Sequence, residues 1–332
     1  MSPVTTTKFN WRLIPGLIIS TVALVVVLYR VQWSELGDAL LRAKAGYILL
    51  GLFWLQLNLI MRSWRWQILL RPLGRYRLLK PCFTFYTIGY MSNLLLPLRA
   101  GEIIRPYLFG QKNGVAKSAV FATVVVERLS DVISIIIMLA IVAGMMEIPQ
   151  EVQKSAYIVG TITIIFIVLL WVVSLNQQAV SRFIRLFKWL PRHIYSRLER
   201  LIISAASALS TLHKISAIVK ILLTSLATWM TSFFVIRSFL FAFGLDLPWY
   251  APIFIIVVSN FGMMIPSSPG FIGVAHFLYV FSLSIFGVSK STALAFAIVT
   301  HGISIIVIIL IGLISLWIEG LSFSQMTKVR IP

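Results

Sequence analysis

Long apolar runs constrain the fold of this chain more than any other feature of its sequence. Six runs reach the roughly 17–25 residues that a helix needs to cross a hydrocarbon core about 30 Å thick. In lipid, every backbone amide must find its partner within its own segment, so these runs predict membrane-spanning helices. They occupy residues 13–29, 46–64, 116–145, 156–175, 215–243 and 291–317. We therefore predict an all-α polytopic membrane protein.

The charge balance excludes several classes of protein. The chain has 29 Lys and Arg against 10 Asp and Glu, a formal net charge of +19. In a membrane chain, such an excess is typical of cytoplasmic loops that face anionic lipid head groups. We therefore expect membrane lipids as partners and no nucleic acid. With Cys82 as the only cysteine and four scattered histidines, the sequence predicts no metal site and no cofactor.

Loop charges predict the orientation of the chain in the membrane. Segments 62–80 and 182–214 are strongly basic, whereas segment 147–154 is net acidic. Since basic loops remain in the cytoplasm, we expect both termini to be cytoplasmic. Residues 181–214 also place apolar and basic side chains on opposite helix faces, which is typical of interfacial helices on an anionic surface.

Two other apolar segments are interrupted and are expected to re-enter the membrane from one side. Segment 81–97 stops at Asn93-Leu-Leu-Leu-Pro97, and basic residues lie both before and after it. Both flanks belong in the cytoplasm, so this segment must enter and return there. By the same reasoning, segment 249–286 enters from outside and is broken at residues 266–270.

The two halves of the chain resemble each other. Gly-Val-Ala-Lys-Ser at 114–118 matches Gly-Val-Ser-Lys-Ser at 287–291, and Ser92-Asn93 matches Ser259-Asn260. Because the order of spans and broken hairpins repeats with opposite orientation, we predict an inverted-topology repeat with a site between the broken helices. The alternative is coincidence in an apolar background. The predicted repeats are residues 13–145 and 155–318.

Ionisable residues interrupt the third apolar run. Glu127 lies about 15 Å along that helix, near the bilayer midplane. Asp131 shares a helix face with Glu127, and Arg128 adjoins them. An ion at this depth is costly and so indicates a functional site; the alternative is a buried Arg128–carboxylate pair that pins two helices. His301 lies at a similar depth in the second half.

The two breaks add further candidate residues. Arginine forks suit phosphate oxygens, so Arg99 and Arg105, with Glu102 between them, are candidates for a head-group site. The alternative is ordinary loop charge. Asn93 and Asn260 precede the breaks and are expected to cap freed backbone groups, with substrate contact as the alternative. The remaining candidates lie at or after the outer break: Ser267, Ser268, Gly270 and His276.

Three motifs follow one another along the chain. They are Asn93-x-x-x-Pro97-x-Arg99-x-Gly101-Glu102-x-x-Arg105, Glu127-Arg128-x-x-Asp131 and Pro266-x-x-Pro269-Gly270-x-x-Gly273. Together they resemble the signature of the lysylphosphatidylglycerol synthase transmembrane-region family, also called flippase-like domain proteins. The Arg65-Trp66 pair fits as well, and the likeness covers about residues 13–317.

The resemblance implies a bacterial or archaeal inner-membrane protein. In some members this region is fused to a domain that makes aminoacylated lipid, and it is held to flip that lipid. The resemblance implies a polar centre formed by Arg99, Glu102, Arg105, Glu127, Arg128 and Asp131. His276 stands in a region where members often carry a glutamate, which leaves the substrate charge open. Since the sequence shows no aminoacyl-transfer domain, we do not expect it to synthesise lysyl-lipid.

The sequence thus predicts a flippase or transporter for a lipid with an anionic, phosphate-bearing head group. A second hypothesis is a membrane-embedded glycosyl or group transferase that uses a polyprenyl-phosphate donor, with Glu102 or Glu127 as base. A third is a non-catalytic subunit that positions a lipid-modifying enzyme. Association into a homo-oligomer is compatible with each.

Overall fold

The computed structural model describes residues 14–74, 79–175, 215–265 and 267–327, together with isolated positions between 189 and 199. In these ranges every regular element is helical, which confirms the predicted all-α class. The predicted interfacial helices at 181–214 lie almost wholly outside the described residues, and so does Pro266.

Twelve α-helices contain most of the described residues. In chain order they are α1 (Ile14–Leu28), α2 (Trp33–Leu41), α3 (Ala45–Leu70), α4 (Leu79–Leu95), α5 (Gly101–Asn113), α6 (Lys117–Ala143), α7 (Gln150–Leu175), α8 (Ile215–Ala242), α9 (Ala251–Gly262), α10 (Val274–Ser284), α11 (Lys290–Glu319) and α12 (Phe323–Thr327).

Helix length and composition identify membrane spans. Helices α3, α8 and α11 are each long and apolar enough to cross a membrane, and α1 and α2, which meet at 91°, count as a fourth if they form one broken span. Helix α6 has 27 residues, which is long enough for a span, and it carries Glu127, Arg128 and Asp131. The chain is therefore a polytopic integral membrane protein.

Two long helix pairs form the frame on which the shorter helices pack. Helix α3 packs along α8, and α4 packs along α11. Small residues permit this close approach: a Cβ at Gly51 would lie 2.9 Å from the Phe239 ring, and one at Gly312 would lie 2.5 Å from Met91. Such contacts matter in lipid, where helix association depends on close packing more than on the hydrophobic effect.

Helices α4 and α5 form the first broken hairpin, with the break at residues 96–100. Leu98 and Arg99 adopt positive φ angles of 57° and 51°, which are uncommon for residues with a side chain. The helices approach so closely that a Cβ on Gly101 would lie 1.8 Å from the Gly89 carbonyl oxygen. With 13 residues, α5 is too short to cross a bilayer, so the hairpin has the form predicted for a re-entrant segment.

Helices α9 and α10 form the second broken hairpin. They contain 12 and 11 residues, so neither crosses a bilayer alone. Gly270 and Gly273 have φ angles of 71° and 87°, conformations that favour glycine. At Gly273 a Cβ would lie 2.2 Å from the backbone oxygen of Ser20 in α1. The break is therefore tied to α1 by a backbone approach that only glycine permits.

The order of elements is the same in both halves of the chain. A broken hairpin precedes a long helix in each: α4 and α5 precede α6, and α9 and α10 precede α11. The inverted relation between residues 13–145 and 155–318 stays a prediction, because it concerns their orientation across the membrane.

Gly101→Ala is expected to destabilise the first hairpin, because the new methyl group would collide with the backbone of α4. Overpacking of this kind costs about 1–3 kcal/mol, measurable as a lower thermal unfolding midpoint of the detergent-solubilised protein. Gly302→Ala in α11 is the matched control, since a Cβ there meets nothing within 4 Å and alanine favours the helix. Equal midpoints for the two variants would contradict the close approach of α4 and α5.

Candidate functional site

A cavity of about 270 Å³ lies where the two broken hairpins meet the α3–α8 pair. Helices α3, α4, α5, α6, α8, α9, α10 and α11 all contribute to its wall. Seven of the predicted site residues line it: Asn93, Arg99, Glu102, Arg105, Arg128, Asn260 and His301. The charged residues of the wall come from the first half of the chain, whereas the second half supplies neutral polar, aromatic and aliphatic side chains.

The tips of the two hairpins meet at this cavity through Arg99. Its Nη2 donates to the Met263 carbonyl oxygen at 2.7 Å, just past the end of α9. The Arg99 guanidinium carbon also lies 5.4 Å from the centroid of the Phe271 ring in the second break. The Arg99 side chain therefore connects the break between α4 and α5 to the segment between α9 and α10, at Met263 and at Phe271.

Glu127 is the centre of a polar network beside the cavity. Its side chain has no exposed surface, and it accepts hydrogen bonds from Arg105 (Nη2 to Oε2, 2.9 Å) and Arg128 (Nη2 to Oε1, 2.7 Å). The Tyr86 hydroxyl donates to Oε1 at 3.2 Å, and Arg65 Nη2 lies 3.5 Å from the same oxygen. The carboxylate is thus surrounded by donors from α3, α4, α5 and α6.

Asp131 lies one turn beyond Glu127 on α6 and completes the network. Its Oδ1 accepts from Arg65 Nη1 at 2.7 Å, and its Oδ2 lies 3.2 Å from Arg128 Nη2. Arg65 also donates to Ser225 in α8 at 3.1 Å, so this buried arginine connects three helices. Neither carboxylate lines the cavity. The carboxylates do join helices, but through Arg65 of α3 and Arg105 of α5 and not through Arg128, which lies on the same helix as they do.

Arg105 is held between aromatic rings. Its guanidinium carbon lies 4.5 Å from the Trp66 centroid and 4.6 Å from that of Tyr86, distances typical of cation–π contacts. The Trp66 indole donates to Thr123 in α6 at 3.0 Å. Charge and position in the sequence did not identify Arg65 and Trp66 as site residues. The available signal was their fit to the family pattern.

Arg62 is a cavity residue that the sequence analysis also missed, because it counted as part of a basic loop. It lies in α3, one turn before Arg65. Its Nε donates to Asn58 Oδ1 at 2.8 Å, and its guanidinium carbon lies 5.5 Å from the Trp229 ring. Asn58 in turn donates to two side-chain oxygens and one carbonyl of α8 at 2.8–2.9 Å. This fixed amide holds Arg62 at the cavity wall.

The capping role predicted for Asn260 is wrong. Its Nδ2 donates to the Ile256 carbonyl at 2.8 Å, four residues earlier in its own helix, whereas the carbonyls freed at a helix end are the last four. Asn93 Oδ1 is buried without a partner in the described part of the chain, so it caps no freed N–H. Both amides instead belong to the cavity wall.

Three predicted residues of the outer break lie outside the cavity lining. The Ser268 backbone N–H donates to Ser20 Oγ in α1 at 2.8 Å, and its hydroxyl donates to the Ile272 carbonyl at 3.1 Å. Ser267 and Gly270 belong to the same turn. These residues shape the break and dock it on α1.

His276 lies behind the cavity residue His301. The two ring centroids are 5.2 Å apart, and His276 Nδ1 accepts from the Gly273 N–H at 3.3 Å. Among the described residues, no three His, Cys, Asp or Glu side chains converge in a way that would hold a metal ion.

Comparison with known proteins identifies the family. Residues 13–312 match the family model of the lysylphosphatidylglycerol synthase TM region. The chain belongs to this family. The match spans both broken hairpins and every charged residue of the cavity, and it confirms the resemblance that the three motifs indicate.

Three relatives of this family member come from archaea. A UPF0104 membrane protein of Methanothermobacter thermautotrophicus is 24% identical over 93% of the chain and 96% of the relative. A UPF0104 membrane protein of Methanocaldococcus jannaschii, MJ1078, is 25% identical over 68% of the chain and 93% of the relative. The glycosyltransferase AglD of Haloferax volcanii is 24% identical over 88% of the chain, but the match covers only 52% of that protein. No solved structure matches the chain.

In this member of the lysylphosphatidylglycerol synthase TM-region family, the site presents guanidinium groups to a small cavity. Arginine forks bind carboxylate and phosphate oxygens through paired hydrogen bonds. Glu127 and Asp131, which do not line the cavity, already accept hydrogen bonds from some of these arginine N–H groups. The arrangement can therefore bind an anionic group in the cavity, with α6 as its support.

Arg65→Met is expected to destabilise the protein by about 3–5 kcal/mol, because removal of one partner leaves a buried charge uncompensated. Adding Asp131→Asn should recover part of that loss, since the two side chains bond at 2.7 Å. Thermal unfolding of the single and double variants measures the coupling. Strictly additive losses would show that this ion pair does not couple α3 to α6.

Proposed function

We propose that this protein moves a lipid with an anionic, phosphate-bearing head group across the membrane. The observation that carries the proposal is the arginine-lined cavity at the junction of the two broken hairpins. Transporters place their sites near the bilayer midplane between broken helices of two repeats. A charged cavity within a membrane domain is costly and indicates a site for an ionic or polar substrate.

The size of the cavity favours a head group over a whole lipid. Pockets for drug-sized ligands have volumes of about 300–1,000 Å³, and this one measures about 270 Å³. The acyl or prenyl chains would therefore remain in the bilayer while the phosphate moves past the arginines.

The two hairpins would act as gates on opposite sides of the cavity. In this proposal both chain termini face the cytoplasm of a bacterial or archaeal cell. The first hairpin then opens toward the cytoplasm and the second toward the outside. The contacts of Arg99 with Met263 and Phe271 join the two gates, so a phosphate that binds Arg99 competes with the contact between them.

A glycosyl or group transferase is the second candidate function, favoured by the similarity to a protein named as a glycosyltransferase. The geometry favours one of the two glutamates as the catalytic base of such a transferase. Glu127 is enclosed by donors, which makes it a poor base, and Glu102 is the one carboxylate among the described residues that lines the cavity. A transferase would therefore depend on Glu102.

Arg99→Gln is expected to slow lipid transport about tenfold or more, since a charge-assisted hydrogen bond contributes about 1.5–3 kcal/mol. The purified protein is reconstituted in liposomes that contain a fluorescent anionic phospholipid. A quencher that does not cross the membrane then reports exchange between the leaflets. Arg99 suits this test better than Glu127, because it has no carboxylate partner among the described residues that would be left unpaired.

Arg237→Gln is the matched control for that experiment. Arg237 lies in α8 outside the cavity lining and donates to the Leu247 carbonyl and to Asp246. This variant removes the same charge and should transport at the wild-type rate. Equal rates for the wild type and Arg99→Gln would refute the assigned site. Release of a modified head group that is lost in Glu102→Gln would instead establish the transferase.

A further inference from the structure

The charged cluster around the cavity is not electrically balanced. We define this cavity cluster as Arg62, Arg65, Arg99, Arg105 and Arg128 with Glu102, Glu127 and Asp131. Five positive charges minus three negative charges leave a net charge of +2 in this cluster. Arg65, Glu127 and Asp131 lie behind the wall, and the members that line the cavity are its only lysine, arginine, aspartate or glutamate residues among those described: Arg62, Arg99, Glu102, Arg105 and Arg128.

The ion pairs show where the excess resides. Arg65, Arg105 and Arg128 each lie within 3.8 Å of at least one carboxylate of the cluster. Arg62 and Arg99 form no ion pair with any described residue. Both line the cavity. The two uncompensated charges therefore belong to two arginines at the place where the substrate is proposed to bind.

Neutral partners hold both arginines in position. The side-chain amide of Asn58, itself bonded to α8, accepts from Arg62, and the Met263 carbonyl accepts from Arg99. These acceptors fix the guanidinium groups without neutralising them. A charge without a directly bonded counter-ion is expensive away from water, because the strongest attraction that could offset its desolvation is missing. The arrangement is therefore that of a site whose counter-charge arrives with the ligand.

We propose that the head group handled by this protein carries two negative charges, as a terminal phosphate monoester does. A phosphodiester such as that of phosphatidylglycerol carries one charge and would leave the cluster at +1. A phosphate monoester is mostly doubly charged at pH 8, since its second pKa is about 6, and it would bring the cluster to neutrality. This assignment rests on the proposed function, because it takes the cavity to be the head-group site.

The test compares two lipids that share their acyl chains and differ in head-group charge. Phosphatidic acid and phosphatidylglycerol are added at pH 8 to the full-length protein in detergent, and apparent affinity is read from the rise in unfolding midpoint. We expect phosphatidic acid to bind about tenfold more tightly, since one further charge-assisted bond contributes at least about that factor. Equal affinities would overturn the proposal.

Two variants of Arg62 separate charge from structure. Arg62→Gln leaves an amide donor for Asn58 and lowers the cluster to +1, so the preference for phosphatidic acid should largely disappear. Arg62→Lys keeps the charge and should keep the preference. Arg237→Gln, outside the cavity, should also keep it. An unchanged preference in Arg62→Gln would show that Arg62 does not set head-group charge.

Inorganic phosphate distinguishes a lipid head group from a free anion. If free phosphate at the same concentration raises the midpoint as much as phosphatidic acid does, the site binds the ion alone and the lipid assignment is overturned. Transport is measured separately on the same lipids. Selective binding without leaflet exchange would uphold the two-charge site and reject the flippase. Equal binding and equal exchange of both lipids would uphold the flippase and reject the two-charge site.

Discussion

The carboxylate of Glu127 is the group on which the polar interior of this protein depends. It is fully buried, and it contacts arginines from α3, α5 and α6 together with a tyrosine from α4. Without an anion at this position, three guanidinium groups would repel one another in a medium of low dielectric constant. Asp131 extends the same compensation to Arg65. The helices that carry the cavity are therefore positioned by the same contacts that hold its arginines.

Glycine determines how the rest of the fold reaches this network. The contact of Gly101 with Gly89 brings α5 against α4, and so brings Arg105 against Trp66 and Tyr86. On the other side, Gly273 seats the second break against α1. The two breaks can then meet through Arg99. The cavity exists because these short helices end inside the protein, where side chains can satisfy the exposed backbone.

Prediction from sequence succeeded for features that a short stretch of residues specifies. It failed for roles that depend on where a side chain lies in the folded protein. The apolar runs, the two breaks and the charges within the apolar run of α6 were all visible, because length, proline, glycine and charge are local signals. Arg62 was assigned to a loop because positive charge beside a span usually marks the cytoplasm. Asn260 was assigned to a cap because of its position before a break. For Arg62, the bond to Asn58, which is itself bonded to α8, decides the role; for Asn260, a bond within its own helix replaces the expected cap.

The sequence by itself determined that this chain is a helical membrane protein of its family, with two interrupted hairpins and with charges inside one of its long apolar helices. These conclusions follow because lipid imposes segment length and internal hydrogen bonding on any chain. Only the tertiary structure decided that Glu127 and Asp131 support the cavity from behind while Arg62 and Arg99 face it without a counter-charge. Arg65 and Asp131 are 66 residues apart in sequence, and no local pattern specifies which guanidinium a carboxylate will meet. That choice depends on how helices cross, which packing at glycines and aromatic rings sets in three dimensions.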